Sequence, residues 1–401
     1  VGQGSLAANT TASNNVAVGV YALEANTTGA SNTAVGQAAL TDNTTGANNT
    51  AVGYLASRVI TTGSNNVSVG AGGNLGANTT GANNVAVGYA SLGGNTTASN
   101  NTAVGFDSLA ANTTGHSNVA MGLNALNDNT TASYNTSVGT YSMDKTTTGS
   151  NNTAVGYQAL ELNTTAYQNT AVGVTALKST TTGADNTGVG FSALFANTTG
   201  YDNTAVGKSS LVANTTGATN TAVGSNALVA NTTGGANVAI GYQALDANTT
   251  GGTNTAVGKA AMTANTTGSN NTAVGLSALN ANTTAGSQTG MGYVALYNAT
   301  TGHSNTGIGS QALYSLTTGI ENIAMGMQAG QYNTAITTGN YNTILGAYSH
   351  ASIAAAEHQI VLGYNVNSAG NNTVTIGKGH GSSDRIYNTY TSNATWTHSS
   401  D

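Results

Sequence analysis

The side chains that carry most enzyme and metal chemistry are scarce in this chain and lie at spacings that do not bring them together. The 401 residues include six histidines, 13 carboxylates and no cysteine. His116 and His303 hold the same place in a repeated pattern but lie eleven repeats apart, so they cannot share a metal ion. Asp42, Asp128 and Asp144 are isolated charges in predicted turns, and no carboxylate pair recurs on adjacent repeats, as glycoside hydrolysis would require. We therefore expect no enzyme activity, no catalytic residue, no metal site and no cofactor.

Tyrosine is the residue type best placed to contact a ligand. Five tyrosines directly follow a repeated glycine: Tyr54, Tyr89, Tyr157, Tyr242 and Tyr293. A ring with an apolar body and a hydroxyl tip can stack on a sugar and form a hydrogen bond with it. These five are the candidate surface contacts for a host-surface glycan or a protein receptor. The alternative, that they are ordinary solvent-facing tyrosines, is favoured.

The composition excludes two classes of partner. Charged residues are 5% of the chain, the net charge is −6, and the seven basic residues never cluster. This pattern cannot neutralise a run of phosphates, so we expect no nucleic-acid partner. No run of about 18 apolar residues occurs, so we expect no membrane insertion.

A repeat of 17 residues organises almost the whole chain. The glycine of the motif "AVG" recurs every 17 residues from Gly2 to Gly326 with one extra residue after Gly70, and the spacing then becomes 20, 17 and 14. The consensus is N-T-A-V-G-x-x-A-L-x-A-N-T-T-G-x-x in about 23 units. "NTAV" alternates, which predicts a strand with Thr and Val on one face and Ala on the other. "NTTG" predicts a turn in which Gly supplies a positive φ.

A unit this short cannot bury its own apolar face, whereas a stack of units can. The sequence therefore predicts an all-β fold, a β-solenoid or β-roll of about 23 seventeen-residue repeats, with like side chains in ladders along the stack. Each unit offers one Val, one Leu and two or three Ala to the core. Because this core is thin, we expect three copies to share it in a homotrimeric fibre.

The regular pattern breaks at a few places. An extra residue in 70–81, "GAGGNLGANTTG", predicts a bulge, and Ile replaces Asn before Thr-Thr at 58–63 and 335–339, which would bury a polar corner. Residues 351–359 are predicted to be a short helix or a loop. We divide the chain into a shaft (1–339), irregular and more aliphatic repeats (340–380) and a C-terminal segment (381–401).

Two stretches resemble known families. "IVLGYNVNSAGNNTVTIGKG" resembles the head repeats of YadA-type trimeric adhesins, whose strands form a left-handed β-roll in a trimer. "NTAVGYQALELNTTA" is similar to the shafts of phage tail fibres, many of which continue into an endosialidase-type intramolecular chaperone that cleaves itself off. The junction there is typically a Trp followed shortly by Ser-Asp, so the resemblance of "WTHSSD" implies a self-cleavage junction at Ser400 and Asp401.

These observations predict a structural protein that is extracellular, as part of a virion tail fibre or of a cell surface. The expected function is a fibre or adhesin shaft of phage tail-fibre type, which projects a receptor-binding element for host attachment. The alternatives are a trimeric adhesin of a bacterial surface and an extracellular or biofilm filament. A minor alternative is an ice-binding β-solenoid, which the adjacent Thr-Thr pairs disfavour because they point to opposite faces of a strand.

Overall fold

The computed structural model describes residues 2–379 and 385–389, and these residues form only strands, turns and loops. The chain divides into two units, Val1–Asp202 and Asn203–Asp401. The strands of the first unit are β1 (Val16–Val18), β2 (Thr33–Val35), β3 (Thr50–Val52), β4 (Val67–Val69), β5 (Val85–Val87), β6 (Thr102–Val104), β7 (Val119–Met121), β8 (Thr136–Val138), β9 (Thr153–Val155), β10 (Thr170–Val172) and β11 (Thr187–Val189). Those of the second are β12 (Thr204–Val206), β13 (Thr221–Val223), β14 (Val238–Ile240), β15 (Thr255–Val257), β16 (Thr272–Val274), β17 (Thr289–Met291), β18 (Thr306–Ile308), β19 (Ile323–Met325), β20 (Thr343–Leu345), β21 (Ile360–Tyr364), β22 (Thr373–Lys378) and β23 (Arg385–Thr389).

Each unit is a parallel β-solenoid, which confirms the predicted fold class. In the first unit every strand pairs in parallel with the next one along the chain, and in the second the same holds from β12 to β22. The register places Thr on Thr, Ala on Ala and Val on Val, as β2 and β3 show. The repeat of 17 residues is therefore one coil of the solenoid. Among the strands within residues 2–379 and 385–389, β23 alone runs antiparallel to its neighbour, β22.

The core of a coil differs from the predicted one. In the coil of residues 32–48, Ala34, Ala39 and Leu40 are fully buried. Val35 and Thr33 lie on the outer face of β2 and are only half-buried. The expectation that Val fills the core was wrong: the inner positions of this coil belong to two Ala, one Leu and two Asn, Asn32 and Asn43, which the sequence analysis did not place there.

The corner after each strand needs glycine for two reasons. Gly36 has a φ of +137°, and a Cβ there would lie 2.3 Å from the carbonyl oxygen of Gly53 in the next coil. No residue with a side chain fits this position. The glycine of "NTTG" was predicted to supply a positive φ, and that prediction was wrong, because the positive φ values fall elsewhere in the coil, at positions such as Leu40 and Asn48.

The irregular stretches lie where the sequence predicts them, but their conformation and burial do not always match the prediction. Gly72 and Gly73 take φ values of +76° and +80° and accommodate the extra residue in a turn. Residues 351–359 form a loop and not a helix. Ile60 and Ile336 occupy a position that is buried in the other coils as well, so the predicted exchange of a polar corner for a buried one was wrong.

Candidate functional site

Each coil up to Gln359 contributes one side-chain amide, asparagine in all but two coils, to a column beside the strands, which we call the strand ladder. Its members directly precede the strands, as Asn101 and Asn118 do. The backbone N–H of Asn118 donates to Oδ1 of Asn101 at 3.0 Å, and Nδ2 of Asn101 donates to the carbonyl oxygen of Gly115 at 2.9 Å. The same N–H to side-chain bond recurs from coil to coil within each unit at 2.8–3.2 Å. The strand ladder thus satisfies backbone groups that no strand partner reaches.

A second column, the turn ladder, consists of the asparagines of "NTTG". Nδ2 of Asn112 donates to Oδ1 of Asn95 at 2.9 Å and to the carbonyl oxygen of Gly115 at 2.9 Å. The next member, Asn129, donates in turn to Oδ1 of Asn112 at 2.7 Å. Here each amide bonds to the neighbouring amide along the stack and to the turn carbonyl of its own coil. From Asn26 onward the asparagines of the two ladders are buried, and both ladders converge on the same turn carbonyl.

Between residues 26 and 336, six coils lack the turn-ladder asparagine: Ile60, Thr146, Thr180, Ala299, Leu316 and Ile336 stand there instead. Where such a residue stands one coil after a turn-ladder asparagine, the Oδ1 of that asparagine loses the Nδ2 donor that the next coil would supply. The buried Oδ1 atoms of Asn43, Asn129 and Asn282 have no hydrogen-bond partner, and each lies in the coil before a replacement. A buried carbonyl without a partner costs about 1–3 kcal/mol, so these sites are local weak points.

The outer face of the strands carries an apolar column. Its members are the residues before each corner glycine, and several are more than a third exposed, among them Val155 at 38%, Val172 at 36% and Ile240 at 40%. The residues after the corner glycines add a second exposed column, with Tyr157 at 48% and Phe191 at 55%. We call these two columns the strand face. The first column is apolar in every coil of each unit, whereas polar residues such as Gln37, Lys208 and Lys259 interrupt the second. A row of half-exposed apolar side chains of this length is unusual on a soluble monomer.

The five sequence-predicted tyrosines all belong to the strand face and are exposed by 48–54%. Tyr89 stacks on Phe106 with 5.3 Å between ring centroids, and Tyr157 lies 6.5 Å from Tyr141. Successive members of the five lie two or more coils apart, so the structure does not bring them together into one site. Ser400 and Asp401, the predicted cleavage junction, lie outside the described residues.

The structure brings some charges together that the sequence left isolated. Nζ of Lys145 lies 3.1 Å from Asp128 and 3.0 Å from Asp144, and Lys178 lies 3.1 Å from Glu161. Burial raises the pKa of Asp144, although the hydrogen bond with Lys145 opposes this shift. The two carboxylates raise the pKa of Lys145. The cluster thus pairs three carboxylates with two lysines along neighbouring coils.

No group of three or more His, Cys, Asp or Glu in the described part of the chain is placed to hold a metal ion. His116 packs edge to face against Tyr134 at 4.9 Å and lies exposed. Among the residues that the structure covers, no helix has the length and apolarity needed to cross a membrane.

No family model matches the chain, and no curated protein matches it.

Proposed function

We propose that this chain is the structural shaft of an extracellular homotrimeric fibre, of phage tail-fibre type, which holds a receptor-binding element for host attachment. The observation that carries the proposal is the strand face. The proposal also draws on the resemblance of the repeats to fibre shafts. A trimeric adhesin of a bacterial surface would use the same architecture.

Each coil buries its inner side chains within one chain, so a partner would cover the outer strand face and would not complete the core. The small inner residues and the two ladders are buried within one chain, whereas Val155, Val172 and their equivalents stay exposed. Covering the apolar side chains of this strip would remove them from water in every coil. The gain per coil is modest, but it repeats along the whole shaft.

The period of the strand face argues for other copies of the same chain as its partners. An apolar side chain returns with each coil, about 4.8 Å along the stack. Only a surface with the same spacing can meet it coil by coil, and a second and a third copy have that spacing. Three copies would also cover one another in a closed arrangement and leave no open-ended contact.

The test is a pair of matched double variants. Val155→Lys with Val172→Lys places two charges on adjacent strands of the strand face, and Thr165→Lys with Thr182→Lys places two charges on exposed turns of the same coils. We expect the first variant to run as a single chain on an unheated SDS gel, while the turn variant keeps the oligomeric band of the unaltered chain. Identical behaviour of the two variants would contradict the assignment of this face.

Ice binding is a second candidate, because one observation favours it. The outer face of β9–β11 presents Thr153, Thr170 and Thr187 in one column beside the Val column, and these hydroxyls bond to no other described residue. Thr and Val thus alternate on one side of a regular sheet, at about 6.6 Å across and about 4.8 Å along the stack. Thermal hysteresis in a solution of single chains would support this candidate over the fibre.

A further inference from the structure

A groove lies where one coil of the second unit is longer than the others. The coil between Gly326 and Gly346 has three extra residues, and its loop is closed by a 3.0 Å hydrogen bond from the N–H of Ile336 to the carbonyl oxygen of Gly330. Ile336 is fully buried and anchors the loop in the core. The groove has a volume of about 460 Å³ and is lined by Gln311, Tyr314, Gln328, Gln331, Tyr332 and Asn333. We call it the amide groove.

The two tyrosine rings of the amide groove are held by other rings. Tyr314 stacks on Tyr297 with 5.2 Å between centroids and 11° between planes. Tyr332 packs edge to face against Tyr348 at 5.2 Å. Such pairs fix ring orientation, so the groove has preformed aromatic walls. Seven of the 18 tyrosines lie between residues 293 and 364, which concentrates rings around this part of the chain.

The amides of the groove are partly held in place and partly available. Nε2 of Gln328 donates to Oε1 of Gln311 at 2.5 Å, and Oε1 of Gln331 accepts the N–H of Ser315 at 2.9 Å. Asn333 is exposed on the loop. An amide offers both donors and acceptors, which matches sugar hydroxyls, since each of these also donates and accepts.

The absence of charge among the lining residues narrows the ligand class. None of the six is Lys, Arg, His, Asp or Glu. A phosphate, a carboxylate or a basic peptide would find no opposite charge there. The volume falls within the ordinary range for small-molecule sites.

We propose that the amide groove binds a neutral carbohydrate, with Tyr314 and Tyr332 stacking on the sugar and the amides bonding to its hydroxyls. This inference rests on the proposed attachment function, because it names the chemistry of the receptor. The proposed sugar contacts are therefore residues of the amide groove, and not the five tyrosines of the strand face.

The test is saturation-transfer NMR of the full chain with the methyl glycosides of glucose, galactose, mannose and N-acetylglucosamine, and with N-acetylneuraminic acid as an acidic probe. We expect at least one neutral glycoside to receive saturation. Tyr332→Ala should weaken its binding at least tenfold, and Asn333→Ala, a change on the exposed loop, at least threefold. The matched control is Tyr341→Ala, which alters a stacked pair with His358 in a different groove and should leave binding unchanged.

Three results would overturn the inference: no neutral glycoside receives saturation, only the acidic probe binds, or Tyr332→Ala binds as the unaltered chain does. Loss of binding in Tyr341→Ala in place of Tyr332→Ala would place the sugar in the other groove and overturn it as well. An unheated SDS gel of each variant reports on the trimer separately. Failure of the fibre proposal is thus distinguishable from failure of the sugar site.

Discussion

The strand ladder and the turn ladder use the same side chain, yet the sequence keeps it much more strictly in one than in the other. In the strand ladder, Gln288 and Gln359 are replacements that retain an amide, and Oε1 of Gln288 still accepts the N–H of Asn305 at 3.2 Å. In the turn ladder, apolar residues such as Ile60 and Leu316 stand in for asparagine. The difference follows from what each amide bonds to.

A strand-ladder Oδ1 is the partner of a buried backbone N–H, which remains in place whatever the side chains are. Loss of the side-chain oxygen therefore leaves this backbone donor unsatisfied in every case. A turn-ladder amide bonds to the next amide and to a turn carbonyl that the strand ladder also reaches, so an apolar residue removes a donor and an acceptor together. Only one carbonyl, such as Oδ1 of Asn43, is left without a partner.

The largest expected effect comes from placing leucine in each ladder of the same coil. Asn101→Leu removes the acceptor of the Asn118 N–H and should lower the local free energy of unfolding by about 2–3 kcal/mol. Asn112→Leu matches an exchange that the chain already contains at Ile60, takes the donor from Oδ1 of Asn95 alone, and should cost about 1 kcal/mol. Hydrogen exchange of the peptides around residue 118 measures both. Equal loss of protection in the two variants would refute the distinction between the ladders.

A smaller effect, of the opposite sign, is expected from repairing the turn ladder. Thr146→Asn restores the residue type of most other turn-ladder positions and supplies an Nδ2 donor to Oδ1 of Asn129, which has no partner. We expect a gain of about 1 kcal/mol in the free energy of unfolding, measured by urea titration.

Thr180→Asn is the matched control for this repair. Oδ1 of Asn163, in the coil before it, already accepts the N–H of Ala166 at 3.0 Å. The same exchange should therefore change stability much less. If both variants gain equally, the unpartnered carbonyl is not the cause.

The smallest effect concerns a carboxylate beside the turn ladder. Burial raises the pKa of Asp246 above its ordinary value of 3.8. Because the pKa is higher in the folded chain, the charged form destabilises the fold at neutral pH, and this penalty disappears as pH falls below the ordinary value. Asp246→Asn should therefore raise the urea midpoint slightly at pH 7 and leave it unchanged near pH 3. A gain that persists in acid would exclude this explanation.

The repeat made the solenoid, the strand positions and the corner glycines predictable. It did not show which residues of each strand face the core. Hydrophobicity alone places Val35 inside. The informative signal was size: the residue between Thr and Val is Ala, Ser or Gly in every coil up to Ala324, and becomes Ile344 and Val361 only afterwards. A position that tolerates only small side chains faces the narrow interior, where Ala34 lies fully buried.

The amide groove could not be predicted from any motif. Its residues are spread over Gln311–Asn333 and meet because a coil of 20 residues follows coils of 17. The extra length is visible in the sequence, whereas the concavity depends on how the loop folds over its neighbours. The orphaned carbonyls likewise depend on which way each Oδ1 points along the stack.

The central claim is that the strand face is covered by two further copies of the chain. Sedimentation equilibrium of the unaltered chain tests it most directly, because it reports mass without regard to shape. The account predicts a single species with three times the mass of one chain. A single chain at all concentrations would contradict it and would favour ice binding, and an open-ended series of masses would contradict it in favour of a filament.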